Sequence, residues 1–307
     1  MSEDLHATRG YEVRHRTEYT YEDYVTASYS RACLRPRATG YQRVLSNVIE
    51  VSPGADVLTE HTDFWGNYSH YLEVRTRHTV LAVDKTSRVS ITWPRVDLDR
   101  LNEWTVGSAA DAFAARPDAV DTGFLLPSRL VALTPAVRAY AAEHLPRARP
   151  LGDALAGVYG LIYGDFTYAK GSTSTTTTLD EILGEKQGVC QDFAHLGCGM
   201  LRAAGLPARY VSGYIETTPP PGKPKLAGSD ATHAWVSCAV PGGDWVDLDP
   251  TNNHFADSRY IVTAWGRDFR DVSPLKGVIF TESGGSKLKV AVDVIPLKDR
   301  PAMMGAE

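Results

Sequence analysis

Between residues 11 and 21 the odd positions carry Tyr, Val, His, Thr, Tyr and Tyr, while Glu12, Arg14, Arg16 and Glu18 fill the even ones. A period of two turns one row of side chains inward and the other to solvent, which predicts a half-buried antiparallel strand. Further strands are expected over 44–51, 68–75, 79–83 and 88–93, the first of them ended by the turn Ser52-Pro53-Gly54. Short strands separated by turn signals suggest a small sandwich.

After residue 97 the pattern changes. Residues 102–115 make a weak, alanine-rich helical stretch, followed by Arg116-Pro117-Asp118 and a gap to Pro127, and read as a connector. Thr134-Pro135 then supplies an N-cap with proline at the first helical position, and Val137, Tyr140, Ala141 and Leu145 follow on one face. Leu151, Leu155, Val158, Tyr159 and Ile162 form a second apolar stripe. Thr178-Leu179-Asp180-Glu181 has the form of a capping box opening a short helix that Gly184 is expected to close. Another helix is expected over 190–204, with Gly205 as its left-handed cap and Pro207 beyond. Strands return over 208–216, 231–240 and 245–249, with Pro241-Gly242-Gly243-Asp244 turning between the last two. The alternation of Leu288, Val290, Val292 and Val294 predicts one more, over 287–296.

Composition narrows the class without naming a reaction. The chain has 307 residues, 43% hydrophobic and 22% charged, an ordinary globular mixture and about two domains' worth of length. A disordered or fibrous chain is excluded. A net charge of −5 argues against a nucleic-acid-binding surface. No run of 18 apolar residues occurs, so no membrane partner is expected. The opening MSEDLHATRG lacks a hydrophobic signal core, and a cytoplasmic location is the expectation. Four cysteines, at 33, 190, 198 and 238, are too few for a disulfide framework, and no pair has the C-x-x-C spacing.

One of these thiols stands apart. In Gly188-Val189-Cys190-Gln191-Asp192-Phe193 the cysteine opens a helix directly after a glycine-containing turn. Unpaired N–H groups and the positive end of the helix dipole then face its sulfur, and both favour the nucleophilic thiolate. The bland alternative is a buried free cysteine. Cys198, two turns further along the same helix, reads as core.

A thiolate that performs acyl transfer needs a base. Among nine histidines, His233 begins a strand just after a proline-rich loop, so its ring can face a cleft; otherwise it packs, or lies on a solvated edge. His195, on the cysteine's own helix, points about 140° away. His254 is the rival. A third group should orient the imidazole, and Asp247 and Asp249 share a face of the strand Trp245-Val246-Asp247-Leu248-Asp249. If residues 240–244 are unpaired, Ala239 faces Trp245, Trp235 faces Asp249, and His233 is the diagonal neighbour of Asp249 on one face. A four-residue loop would put them on opposite faces. A metal site from Cys190, His195 and Cys198 is disfavoured because the three do not share a helix face.

GVCQDFAHL, RAAGLPARYVSGYIE, DATHAWV and WVDLDPTNN, in that order over 188–253, resemble the transglutaminase-like superfamily, specifically its bacterial branch of candidate cysteine proteases. YEVRHRTEYTYEDYV, LRPR, YQRV and DFWGNYSHYLEV resemble the N-terminal β domain of that branch, and GRDFRDVSPLKGV is similar to its C-terminal part. The resemblance implies an α+β fold, with an antiparallel β-sandwich-like domain over 1–96, a connector over 97–126, and a papain-like core of helices on an antiparallel sheet over 127–307. It implies a catalytic triad of Cys190, His233 and Asp249, with the N–H of Cys190 as one oxyanion donor and the Tyr168 hydroxyl as a candidate second. A peptidase or amidase working through a thioester on a peptide or protein substrate is expected; transamidation to an amine and a catalytically idle peptide-binding module are the alternatives. No cofactor or metal is expected. The Pro-rich segment 217–228, with Lys223 and Lys225, is expected to rim the cleft and favour an acidic substrate.

Overall fold

A computed structural model of the chain describes residues 4–217, 230, 232–282 and 284–297. Five strands come first: β1 (Arg9–Ala32), β2 (Gln42–Ser52), β3 (Val57–Thr62), β4 (Tyr68–Val74) and β5 (His78–Ile91). The helices α1 (Leu98–Leu101), α2 (Val106–Ala115), α3 (Ala119–Leu125), α4 (Pro135–His144) and α5 (Leu151–Asp165) follow. Next come β6 (Thr167–Tyr168), α6 (Leu179–Glu185), β7 (Gln187–Gly188) and α7 (Cys190–Ala203). The chain then forms β8 (Ala208–Ile215), β9 (Thr232–Ala239), β10 (Trp245–Asp249), β11 (His254–Phe255) and β12 (Tyr260–Gly266). It ends with α8 (Phe269–Val272), β13 (Leu275–Thr281) and β14 (Ser286–Pro296). Among the described residues no helix is long and apolar enough to cross a membrane.

The first sheet curls around β1, which runs twice as far as its alternating stretch. Tyr11, Val13, His15 and Thr17 are buried, as the pattern requires, while Arg14 and Arg16 face solvent. Register shifts against β5 between Thr20 and Val25 divide β1 into two halves. The first half pairs with β5 and β14, the second with β4 and β13. β3 is absent from the sequence reading because all its residues but Val57 are exposed, leaving no inward row. The two strands expected over 79–83 and 88–93 are one. Between them Lys85 is not a turn residue but is buried, its ammonium 4.4 Å from the Tyr214 ring centre.

β13 and β14, which lie within the 127–307 segment, both hydrogen-bond to β1 of the first sheet. Their partners lie more than 240 residues away, and no local pattern encodes such a pairing. The connector is also more than a link. Asp118 caps α3 by accepting from Val120 and Asp121, and Phe124 is buried against Trp65 and Trp245.

The core sheet is antiparallel in the order β11-β10-β9-β8-β12. Val137, Leu155, Ile182 and Leu196 of the helices pack with Val236 and Leu248 on one face. On the other, Val211, Trp235 and Ile261 meet Tyr11, Val13 and Val89 of the first sheet. Covered on both faces, β8 and β9 are almost continuously buried. The capping box at Thr178 and Glu181 forms, but α6 ends on Lys186 (φ 52°) rather than at Gly184. The Lys186 ammonium lies over the Tyr140 and Phe166 rings, which holds this left-handed residue in place. Gly205 takes the expected positive φ of 85°, and a Cβ there would sit 2.9 Å from that of Ala110.

Candidate active site

Cys190 is the only one of the four cysteines that is not buried. It opens α7 after Val189, which carries no side-chain oxygen to cap the helix. The usual Ser, Thr, Asp or Asn at this position would take first-turn N–H groups for itself. Here the N–H groups of Cys190 and Gln191 have no such cap. The helix start is fixed from the other side: Asp192 accepts the Val189 N–H at 2.9 Å and the Thr173 hydroxyl at 2.6 Å. Burial raises the pKa of this carboxyl against those hydrogen bonds. The parallel pairing of β6 with β7 sets Tyr168 opposite Gly188, its ring 6.3 Å from that of Phe193. Burial, and then the charges of Cys190 and Asp192, raise the Tyr168 hydroxyl's pKa.

The β9–β10 register is the one that brings the base and the acid together. Trp245 pairs with Ala239 and Leu248 with Val236, so Asp249 lies diagonal to His233. His233 Nε2 and Asp249 Oδ2 are 2.6 Å apart. Asp249 also accepts from the Tyr260 hydroxyl at 2.6 Å, the Asn252 amide at 2.6 Å, and the backbone N–H groups of Thr251 (2.8 Å) and Asn252 (3.2 Å). With Nε2 committed to the carboxylate, Nδ1 is the ring nitrogen left free of Asp249, and Cys190 is near enough to favour the charged imidazole.

Electrostatics follow from this wiring. Burial alone would strip the proton from His233. The charge and hydrogen bond of Asp249, joined by Cys190, overcome it and raise the imidazole to about 10. Burial equally opposes ionisation of Asp249, but His233, Tyr260 and Asn252 outweigh it and hold the carboxyl at about 2. His233 is 8% exposed and Asp249 fully buried, so water screens the pair poorly.

The other candidates are placed elsewhere. His195 is buried beside Tyr210, accepts the Phe269 N–H at 3.1 Å, and is lowered to about 3 by burial. His254 pairs across from Asp249 but faces Tyr260 and Arg259. Cys198 is buried in the core and pushed up to about 12 by burial. Asp247 accepts the Trp235 indole N–H at 3.1 Å and does not reach His233. Among the described residues no three His, Cys, Asp or Glu side chains are grouped to hold a metal ion.

Asn252 and Tyr260 were missed as acid-orienting residues. Asn252 lies within the WVDLDPTNN motif, whereas Tyr260 carries no signal, arriving from a strand with no recognised pattern. The expected rim loop falls outside the described residues from 218 to 229. Its flanks are close, however: the Thr217 hydroxyl hydrogen-bonds Asp230, and Asp230 N–H donates to Val292 O at 3.0 Å.

Two family models match the chain: the bacterial transglutaminase-like N-terminal region over residues 11–90, and the transglutaminase-like superfamily core over 138–250. A Mycobacterium tuberculosis protein described only as uncharacterized is 42% identical over 307 residues, covering 97% of this chain and 96% of its own. A crystal structure of a candidate cysteine protease from Cytophaga hutchinsonii superposes with a TM-score of 0.78 at 20% identity, over 98% of this chain and 95% of that one, and so shares the fold. A shorter stretch of 87 residues, 28% of this chain, is 34% identical to 13% of the protein-glutamine γ-glutamyltransferase of Pseudomonas aeruginosa.

Proposed function

The chain belongs to the transglutaminase-like superfamily, and on that premise we propose that it hydrolyses amide bonds of a peptide or protein through a thioester on Cys190. The observation that carries the reading is His233, hydrogen-bonded to Asp249 through Nε2 and close enough to Cys190 for that side chain to favour its charged form. In this reading the Cys190 sulfur attacks the amide carbonyl, and the carbonyl oxygen takes up negative charge against the first-turn N–H groups of α7. The tetrahedral intermediate collapses with cleavage of the C–N bond, and the proton on His233 Nδ1 goes to the departing amine. His233 then takes a proton from an incoming water as that water attacks the thioester, releasing the acid and the free thiol. Asp249 keeps the imidazole's orientation and stabilises its charged form without taking the proton itself.

A second reading replaces water with an amine, giving transamidation. What favours it is the local likeness to the Pseudomonas enzyme. Nothing dedicated to an amine acceptor is visible in the sequence, whereas water is always at hand. A screen of peptide and amide substrates against the wild type and Cys190→Ala, with and without a primary amine, tests both. Free acid and released amine that vanish in the variant support hydrolysis. Amine incorporation in preference to acid would move the assignment to transamidation, and turnover that survives in Cys190→Ala would discard both.

A further inference from the structure

Opposite the catalytic end of the core sheet, where β9 turns into β10, lies a cavity of about 620 Å³. This is the size range of small-molecule sites. At its wall stands Arg209 of β8, only 6% exposed. Its guanidinium is stacked between two indoles, 3.6 Å from the Trp265 ring centre and 3.9 Å from that of Trp245. Stacking occupies the faces of the guanidinium and fixes its plane, but it uses none of the N–H groups on the edge. The Arg209 Nε has no hydrogen-bond partner, and no carboxylate among the described residues forms an ion pair with this side chain. Asp247, also at the cavity wall, attracts Arg209 without touching it, its own hydrogen bond going to Trp235. A buried, immobilised cation without a contacting anion is costly, and a planar fork of N–H donors matches a carboxylate edge on.

We propose that this cavity binds a carboxylate carried on an apolar, ring-bearing body, with Arg209 as the anchor. Trp93, Trp104 and Tyr41 supply the wall for such a body, Tyr41 and Trp93 lying 4.2 Å apart between ring centres. The walls carry three arginines against four acids, so a singly charged carboxylate suits them better than a doubly charged phosphate. The carboxylate belongs either to a free aromatic acid or to the C-terminus of a peptide ending in an aromatic residue, the same chemistry from two sources. The site needs no turnover, so it stands or falls separately from the acyl-transfer reading.

The test is a tryptophan-fluorescence titration of the full chain carrying Cys190→Ser. The probes are 3-phenylpropionate, its amide, the tripeptide Ala-Ala-Phe with a free or amidated C-terminus, and inorganic phosphate. At least one of the two acids is expected to saturate the signal, with its amide weaker by about tenfold or more. Tighter binding of the tripeptide acid identifies a peptide terminus as the source; tighter binding of phenylpropionate identifies a free acid. Arg209→Lys keeps the charge but loses the fork, and is expected to weaken the acid about tenfold. If that variant does not fold, the acid-against-amide contrast in the parent protein decides. Absence of saturation by both acids, equal binding of acid and amide, preference for phosphate, or unchanged affinity in a folded Arg209→Lys would each overturn the proposal.

Discussion

Asp247 and Asp249 lie two residues apart on the same strand, both buried, and their surroundings drive them in opposite directions. Asp249 collects three side-chain hydrogen-bond partners and two backbone N–H donors, and its carboxyl is held at about 2. Asp247 has the Trp235 indole and a guanidinium that stays at a distance, and burial keeps its pKa above the ordinary value. Burial is common to both. The number of donors that meet each carboxylate decides which one is available as a permanent negative charge. That charge is the larger of the two influences, ahead of Cys190, that favour a protonated His233 against its burial.

Breaking the stronger of the two should cost the most. Asp249→Asn is expected to lower kcat/KM by about three to four orders of magnitude while leaving the circular dichroism unchanged, because the amide cannot stabilise the charged imidazole. Loss of less than about tenfold would mean that another group orients His233. Tyr260→Phe removes one donor and spares the rest, so about a tenfold decrease is expected in the same assay.

pH separates the two acids in another way. His233 is raised from 6.5 to about 10, so its contribution to stability is fully present below pH 6.5 and is lost as pH rises through 10. Asp249 is lowered from 3.8 to about 2, so its contribution is present above pH 3.8 and is lost as pH falls through 2. The excess of the wild-type melting temperature over that of Asp249→Asn should therefore be greatest between about pH 4 and 6.5 and shrink toward pH 10. In an NMR titration the His233 pKa of Asp249→Asn should fall, since burial is then opposed by Cys190 alone. A difference in melting temperature that grows above pH 7 would contradict the pairing.

The smallest effect is expected at the neighbouring acid. Asp247→Asn keeps an oxygen for the Trp235 indole, and kcat/KM is expected to change by less than about threefold. A larger loss than in Asp249→Asn would reverse the assignment of the two acids.

Much of this site was legible in the chain because its signals are local. The capping residues around α6 and the glycine after α7 each fix geometry over a few positions, while the length of the gap between Ala239 and Trp245, left open between four and five residues by the sequence, is settled by the register. The gap alone selects the face that carries both His233 and Asp249. Elements whose evidence lies far away were not legible. β3 has no inward row, β13 is exposed for all but its first residue, and the pairing of β14 with β1 joins the two ends of the chain. Tyr260 belongs to the same class, reaching Asp249 from β12 on the far edge of the core sheet. Lys85 misled for a different reason: a charge in the middle of a strand reads as a break unless its buried partner, Tyr214, is already known.

The account rests on a thiol at Cys190 that is activated through His233, and alkylation reads that directly. Wild type and His233→Gln, treated with iodoacetamide near neutral pH, can be followed by peptide mass spectrometry at all four cysteines. The account predicts that Cys190 in the wild type labels far faster than Cys33, Cys198 and Cys238, and that its rate falls by about tenfold or more in His233→Gln. An unchanged Cys190 rate in the variant, or Cys198 labelling first, would contradict it.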